Sequence, residues 1–210
     1  DEETAAVALR RPGELMSALD AVLADGRFSA LTGGGAVLGI SGHSFGGFTS
    51  FLLAFRDSRV KAVVAMAPHT VALAVASYHL PKLETPVMIM AGSDDKTLDP
   101  QVEMRRAYDR LPAPKRYFEL KDGGHFTFSD ICALDLESIA EQIDIHTDDA
   151  LGDGCAPENI PADEAHRLIR QFGIGFLNYL MRDSPGSRAY FSPEAAVEHS
   201  ESLLYLEELE

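Results

Sequence analysis

The sequence predicts an α/β fold, a mostly parallel sheet with helices on both faces. Three observations predict it. Short apolar runs recur at 36–41 (AVLGIS), 60–67 (VKAVVAMA) and 86–91 (PVMIMA), with a mixed run at 115–120 (KRYFEL). The first three are continuously apolar rather than alternating, the pattern of strands buried on both faces. Helix-length segments separate them, and strands alternating with helices imply a parallel sheet covered on both sides.

Each element follows in order. Pro12 stands where a first helical turn tolerates proline, and Leu15, Met16, Leu19, Val22 and Leu23 follow at helical spacing. Gly26 closes that helix. Gly33-Gly34-Gly35 reads as a loop leading into the strand at 36–41, and a helix is expected from about Phe45 to Phe55. The strands at 60–67 and 86–91 come next, then a helix over 100–110 and the strand at 115–120, which ends in the turn Asp122-Gly123-Gly124. A long helix over 162–181 places Ile169, Phe172, Phe176 and Leu180 on one face. The acidic stretch 194–210 reads as a surface helix or a partly disordered tail.

Composition bounds the function. The 210 residues suit one domain, or the larger part of one, and 46% hydrophobic with 24% charged residues is ordinary for a globular protein. The net charge of −15 repels DNA, RNA and anionic membranes, whose recognition depends on Lys and Arg against phosphate. No apolar run approaches the ~20 residues that span a bilayer. Two cysteines, Cys132 and Cys155, cannot by themselves supply a four-ligand zinc site. They are a disulfide candidate, which would imply an oxidising compartment, or else two buried thiols.

The strongest chemical signal is Gly42-His43-Ser44-Phe45-Gly46, followed by Gly47. It fits G-x-S-x-G and lies between a buried strand and a helix, the context a nucleophile elbow requires. A serine on that sharp turn is strained and exposed, and Gly42 and Gly46 are expected to relieve a clash between the residues flanking it. The helix beginning at Phe45 aims its first N–H groups and positive dipole end at the site, which makes the Phe45 N–H an oxyanion donor.

A serine hydroxyl needs a base, and the base needs a carboxylate to orient it. After the strand at 86–91 comes Gly92-Ser93-Asp94-Asp95, and after the strand at 115–120 comes Gly123-Gly124-His125. Serine, acid, histidine is the chain order of this architecture, each residue following a strand. Asp94 and Asp95 compete for the acid; spacing from the strand-end glycine selects Asp95, with Asp94 capping the turn. His43, His69 and Phe126 are candidates to line the pocket, and Phe45, Phe48 and Met66 suit an apolar acyl pocket or plain core. His79, His146, His166 and His199 have no constellation around them, and no spacing resembles a metal site or a phosphate-cradling loop, so no cofactor is expected.

These residues resemble the dienelactone-hydrolase-like branch of the α/β-hydrolases, near the platelet-activating-factor acetylhydrolases and bacterial polyester hydrolases. The resemblance rests on 42–47 (GHSFGG), 92–95 (GSDD), 123–126 (GGHF) and 126–132 (FTFSDIC), and covers about residues 10 to 180. It implies the α/β-hydrolase fold and cofactor-free hydrolysis of a carboxylic ester, whether small-molecule, lipid or polymer, in proteins that are often secreted or periplasmic. It also implies several strands, and a second oxyanion loop, ahead of the elbow strand. Only a helix and a loop precede that strand here, so residues 1–210 are expected to be a single catalytic domain lacking its N-terminal strands, either the C-terminal part of the fold in a longer protein, the favoured reading, or a minimal variant of the fold. The expected chemistry is two-step acyl transfer: Ser44 attacks, His125 takes the proton, and Asp95 holds the imidazole. The competing readings are a related peptidase, thioesterase or acyltransferase, and an impaired hydrolase fold serving as a binding module.

Overall fold

The computed structural model describes residues 2–28, 37–75, 78–134 and 152–210. Among the described residues, five strands form one sheet in the order β1-β2-β3-β4-β5: β1 (Leu38–His43), β2 (Val60–Met66), β3 (Val87–Gly92), β4 (Lys115–Leu120) and β5 (Leu203–Glu208). The first four run parallel and β5 is antiparallel to β4. The C-terminal ends of β1 to β4 therefore share one edge of the sheet, where an open α/β sheet places its ligand site.

The helices are α1 (Glu2–Ala24), α2 (Phe45–Arg56), the short α3 (Val71–Val75), α4 (Arg106–Arg110), α5 (Ala162–Met181) and the short α6 (Pro193–Val197). Both sheet faces are covered. Gly173 of α5 lies against Val64 and Met90, so α5 covers the face those residues share. Val63, Ala65 and Ile89 point the other way and are as fully buried. α2 packs on β1 and β2, with α1 behind it. Arg59 pairs with Asp20 of α1, and the Arg11 guanidinium lies 4.8 Å over the Phe45 ring. No helix among the described residues is long and apolar enough to cross a membrane.

Most expected elements are present with their ends moved by a residue or two, and β4 and α5 match their predicted spans. Four readings need correction or lie out of view. Pro12 does not open α1 but sits inside it, buried with Ala8 on the helix face that meets the fold, so burial outweighs the lost backbone hydrogen bond. The segment 100–110 is not one α-helix: it begins as a π-turn (Gln101–Arg105) and becomes α-helical only at Arg106. The acidic stretch 194–210 is neither a surface helix nor a disordered tail but the short α6 followed by β5. Leu203 is buried opposite Leu120, Tyr205 packs on Phe172 at 5.3 Å, and the acids on β5 have basic partners: Lys115–Glu208 at 3.1 Å and Arg188–Glu207 at 2.5 Å. Those cross-strand contacts offset the charge that made the segment read as solvated. The expected loop Gly33-Gly34-Gly35, the strand residue Ala36 and His146 lie outside the described residues.

Candidate active site

The turn at Ser44 is built by β1 handing directly to α2. Ser44 sits between them at φ 54°, ψ −118°, a conformation that a residue with a Cβ adopts only under constraint. The constraint is visible: the Ser44 N–H donates to the Met66 carbonyl at 2.8 Å, and the His69 N–H donates to the Ser44 carbonyl at 3.4 Å. Ser44 makes no capping hydrogen bond with its side chain. A Cβ on Gly42 would collide with the Gly46 carbonyl, so glycine is required there. The matching expectation for Gly46 does not hold, because a Cβ there meets nothing within 4 Å. The crowded position is Gly47, against Pro68 at 2.7 Å. Phe45 opens α2, where the first N–H groups have no acceptor within the helix.

Asp95 follows β3 and His125 follows β4, and the two meet. His125 Nδ1 lies 2.8 Å from Asp95 Oδ2, both residues nearly sealed from solvent. A carboxylate only accepts, so Nδ1 carries the proton and Nε2 is left as the basic nitrogen. The other Asp95 oxygen accepts the N–H groups of Thr97 at 3.0 Å and Leu98 at 2.7 Å, which fixes the carboxylate independently of the histidine. Asp94 is exposed, with Lys96 Nζ at 3.6 Å.

β4 is three places from β1 in the sheet, yet the His125 loop folds back across the edge to the turn that follows β1. His43, the residue before Ser44, donates from Nε2 to the His125 carbonyl at 2.8 Å, and the two rings lie 4.7 Å apart. Phe126 stands edge-on to His125 at 5.3 Å, half-buried. Phe45 and Met66 are also half-buried, whereas Phe48 belongs to the core. Burial holds the His43 imidazole below its usual value, and nearby His125 acts in the same direction. The sign of the pH dependence follows. Below about pH 6.5 the unfolded chain takes up a proton at this site while the folded chain does not. Stability contributed by neutral His43 is fully present above that pH and falls as the pH drops toward the folded value. The melting temperature is expected to decline from about pH 6.5 downward, and His43→Gln, whose amide N–H can take the place of Nε2–H toward the His125 carbonyl, should flatten the decline. Equal slopes for the two proteins between about pH 5 and 7 would refute this.

His69 sits at the end of β2, and its ring nitrogen Nδ1 lies 2.8 Å from Glu103 Oε1. Glu103 also accepts from the N–H groups of Thr70 at 2.5 Å and Val71 at 2.7 Å. Sequence reasoning missed Glu103, because on the expected helix it carries no signal distinguishing it from a solvated acid. It missed Asp153 too. That carboxylate is 3% exposed and accepts from the His125 N–H at 2.8 Å, the Thr97 N–H at 2.8 Å and the Thr97 hydroxyl at 2.6 Å. The only hint was its place in Gly152-Asp153-Gly154-Cys155, a turn beside a cysteine. Cys155 and Cys132 are joined in a disulfide. Among the described residues no group of three or more His, Cys, Asp or Glu is gathered as a metal ion would require.

Against known proteins, a family model described as PETase, PET hydrolase-like, matches residues 8–140. Lipase 1 of Moraxella sp. (strain TA144) is 29% identical over 116 residues, which are 55% of this chain and 34% of that protein. The solved structure of a ferulic acid esterase from Streptomyces cinnamoneus superposes with a TM-score of 0.67 at 21% identity, over 96% of this chain and 55% of that one. The chain thus spans about a third of the length of the lipase and little more than half of the esterase.

Proposed function

The chain belongs to the PET hydrolase-like family, and from that membership we propose that it cleaves carboxylic esters through an acyl-enzyme formed on Ser44. The observation that carries the proposal is the buried Asp95–His125 hydrogen bond, held by His43 against a strained serine elbow. Structural likeness to an esterase and partial identity to a lipase support the same reaction class.

His125 Nε2 takes the Ser44 proton as Oγ attacks the ester carbonyl, and Asp95 keeps the imidazole in the tautomer that can accept it. The Phe45 N–H, at the positive end of α2, helps hold the oxyanion. His125 returns the proton to the departing alcohol, then draws one from water as the water attacks the acyl-enzyme, and Ser44 is regenerated. The Cys132–Cys155 disulfide supports an oxidising compartment, hence an exported protein.

The test is covalent. A fluorophosphonate probe should add one label, mapped by peptide mass spectrometry to Ser44, and should stop p-nitrophenyl acetate hydrolysis as the label accumulates. A label on another residue, or hydrolysis that survives complete labelling, overturns the proposal.

A further inference from the structure

We propose that Asp153 is a positioning residue that clamps the acid loop and the base loop into one rigid unit, with the Cys132–Cys155 disulfide holding the clamp in place. This rests on the reading of Ser44, Asp95 and His125 as the catalytic set.

Asp95 and His125 stand on separate loops, after β3 and after β4, and a single imidazole–carboxylate hydrogen bond joins their side chains. The Asp153 carboxylate joins their backbones. Oδ1 accepts the His125 N–H at 2.8 Å and the Lys96 N–H at 3.1 Å. Oδ2 accepts the Thr97 N–H at 2.8 Å and its hydroxyl at 2.6 Å. The Thr97 N–H is shared, since it also donates to Asp95 Oδ1 at 3.0 Å. One carboxylate therefore touches the residue that carries the base and the turn that fixes the acid. Charged acceptors make the stronger hydrogen bonds, and a buried carboxylate without its donors is costly, so the arrangement is held on both sides. Burial works against the charge on Asp153, yet the donors from Thr97, His125 and Lys96 together keep its carboxyl below the usual range.

The segment that delivers Asp153 is fitted to the base loop. The Asp153 carbonyl accepts the Phe126 N–H at 2.8 Å. Gly154 has φ +121°, and a Cβ there would stand 2.7 Å from the Thr127 nitrogen, so the backbone lies flat against the turn that bears His125. Next to it, Cys155 is bonded to Cys132, in the turn that follows His125–Phe128. The disulfide ties the segment to the element it supports.

A clamp of this kind acts on geometry in the transition state rather than on substrate binding. A displacement near 1 Å in a catalytic group costs on the order of 10²-fold in rate. In Asp153→Asn the amide presents N–H where the carboxylate accepted, so one loop loses its acceptor while side-chain size is kept. With p-nitrophenyl acetate, kcat is expected to fall about 10²-fold with KM changed less than about twofold. Because Asp153 acts through the Asp95–His125 pair, Asp95→Asn/Asp153→Asn should be no slower than Asp95→Asn alone. Thr97→Val removes one donor with little change of shape and should give a smaller fall in kcat with the same unchanged KM. Wild-type kcat in a folded Asp153→Asn, or additive losses in the double variant, overturns the clamp. If Asp153→Asn does not fold, Thr97→Val decides alone, and an unchanged kcat overturns the clamp. Activity retained by Ser44→Ala in the same assay would instead sink the catalytic reading on which the clamp rests.

Discussion

Ser44→Ala is expected to abolish ester hydrolysis and fluorophosphonate labelling while the protein keeps its fold. On the proposed acyl-enzyme route, removing the nucleophile costs on the order of 10⁶-fold in turnover, because that route leaves no other group to carry the acyl chain. The fold should survive for a local reason. Ser44 already places a Cβ at φ 54°, so alanine adds no new backbone strain, and the hydroxyl makes no capping bond that α2 would lose. The checks are turnover of p-nitrophenyl acetate, intact mass after probe treatment, and the melting temperature beside that of the parent. Persistent labelling of the alanine variant would remove Ser44 from the nucleophile's role.

Asp95→Asn is expected to cost about 10⁴-fold in turnover with little loss of stability. The structure explains why the two effects separate. One oxygen of Asp95 accepts the Thr97 and Leu98 N–H groups, and the amide oxygen of asparagine can go on doing so. The other position then carries an NH₂, which faces His125 Nδ1 where Oδ2 stood at 2.8 Å. It can only donate, so the imidazole moves its proton to Nε2 and can no longer act as a base toward Ser44. Asp94→Asn is the matched control. The Asp94 carboxylate is exposed and lies 3.6 Å from Lys96 Nζ, so turnover should stay near the parent value. Equal losses in the two variants, measured as kcat on one ester, would refute the assignment of the acid.

These expectations come partly from sequence and partly from structure, and the division has a physical basis. The strained turn at Ser44 was legible because it needs several local features at once, an apolar strand, a glycine that admits no Cβ, and a helix beginning after the serine. All lie within a few residues of one another. The pairing of Asp95 with His125 was legible because strand ends are marked by composition and chain order is constrained by topology. Asp153 and Glu103 were not, since each is a carboxylate whose partners are N–H groups on loops far away in sequence. Such a role leaves no period and no motif. β5 was missed for a different reason. Its acidic residues are matched by Lys115, Arg116 and Arg188, and a reading confined to the segment sees the charges without their partners. Pro12 was placed at a helix start by a rule about isolated helices, whereas in the fold its burial decides.

β5 also sets the order in which the molecule can be completed. Its register joins Lys115 to Glu208, residues about 90 apart in the chain, and the pairing must wait until the later of them has been synthesised. At about 5–20 residues per second, the β4 edge stays without this partner for several seconds after β4 itself has emerged. Throughout that interval the unpaired edge of a strand carrying Tyr117 and Phe118 is open to pairing with another nascent chain. Protection of this edge during synthesis is therefore a matter of timing, and a chaperone that shields it for those seconds would raise the yield of folded protein without altering its final stability.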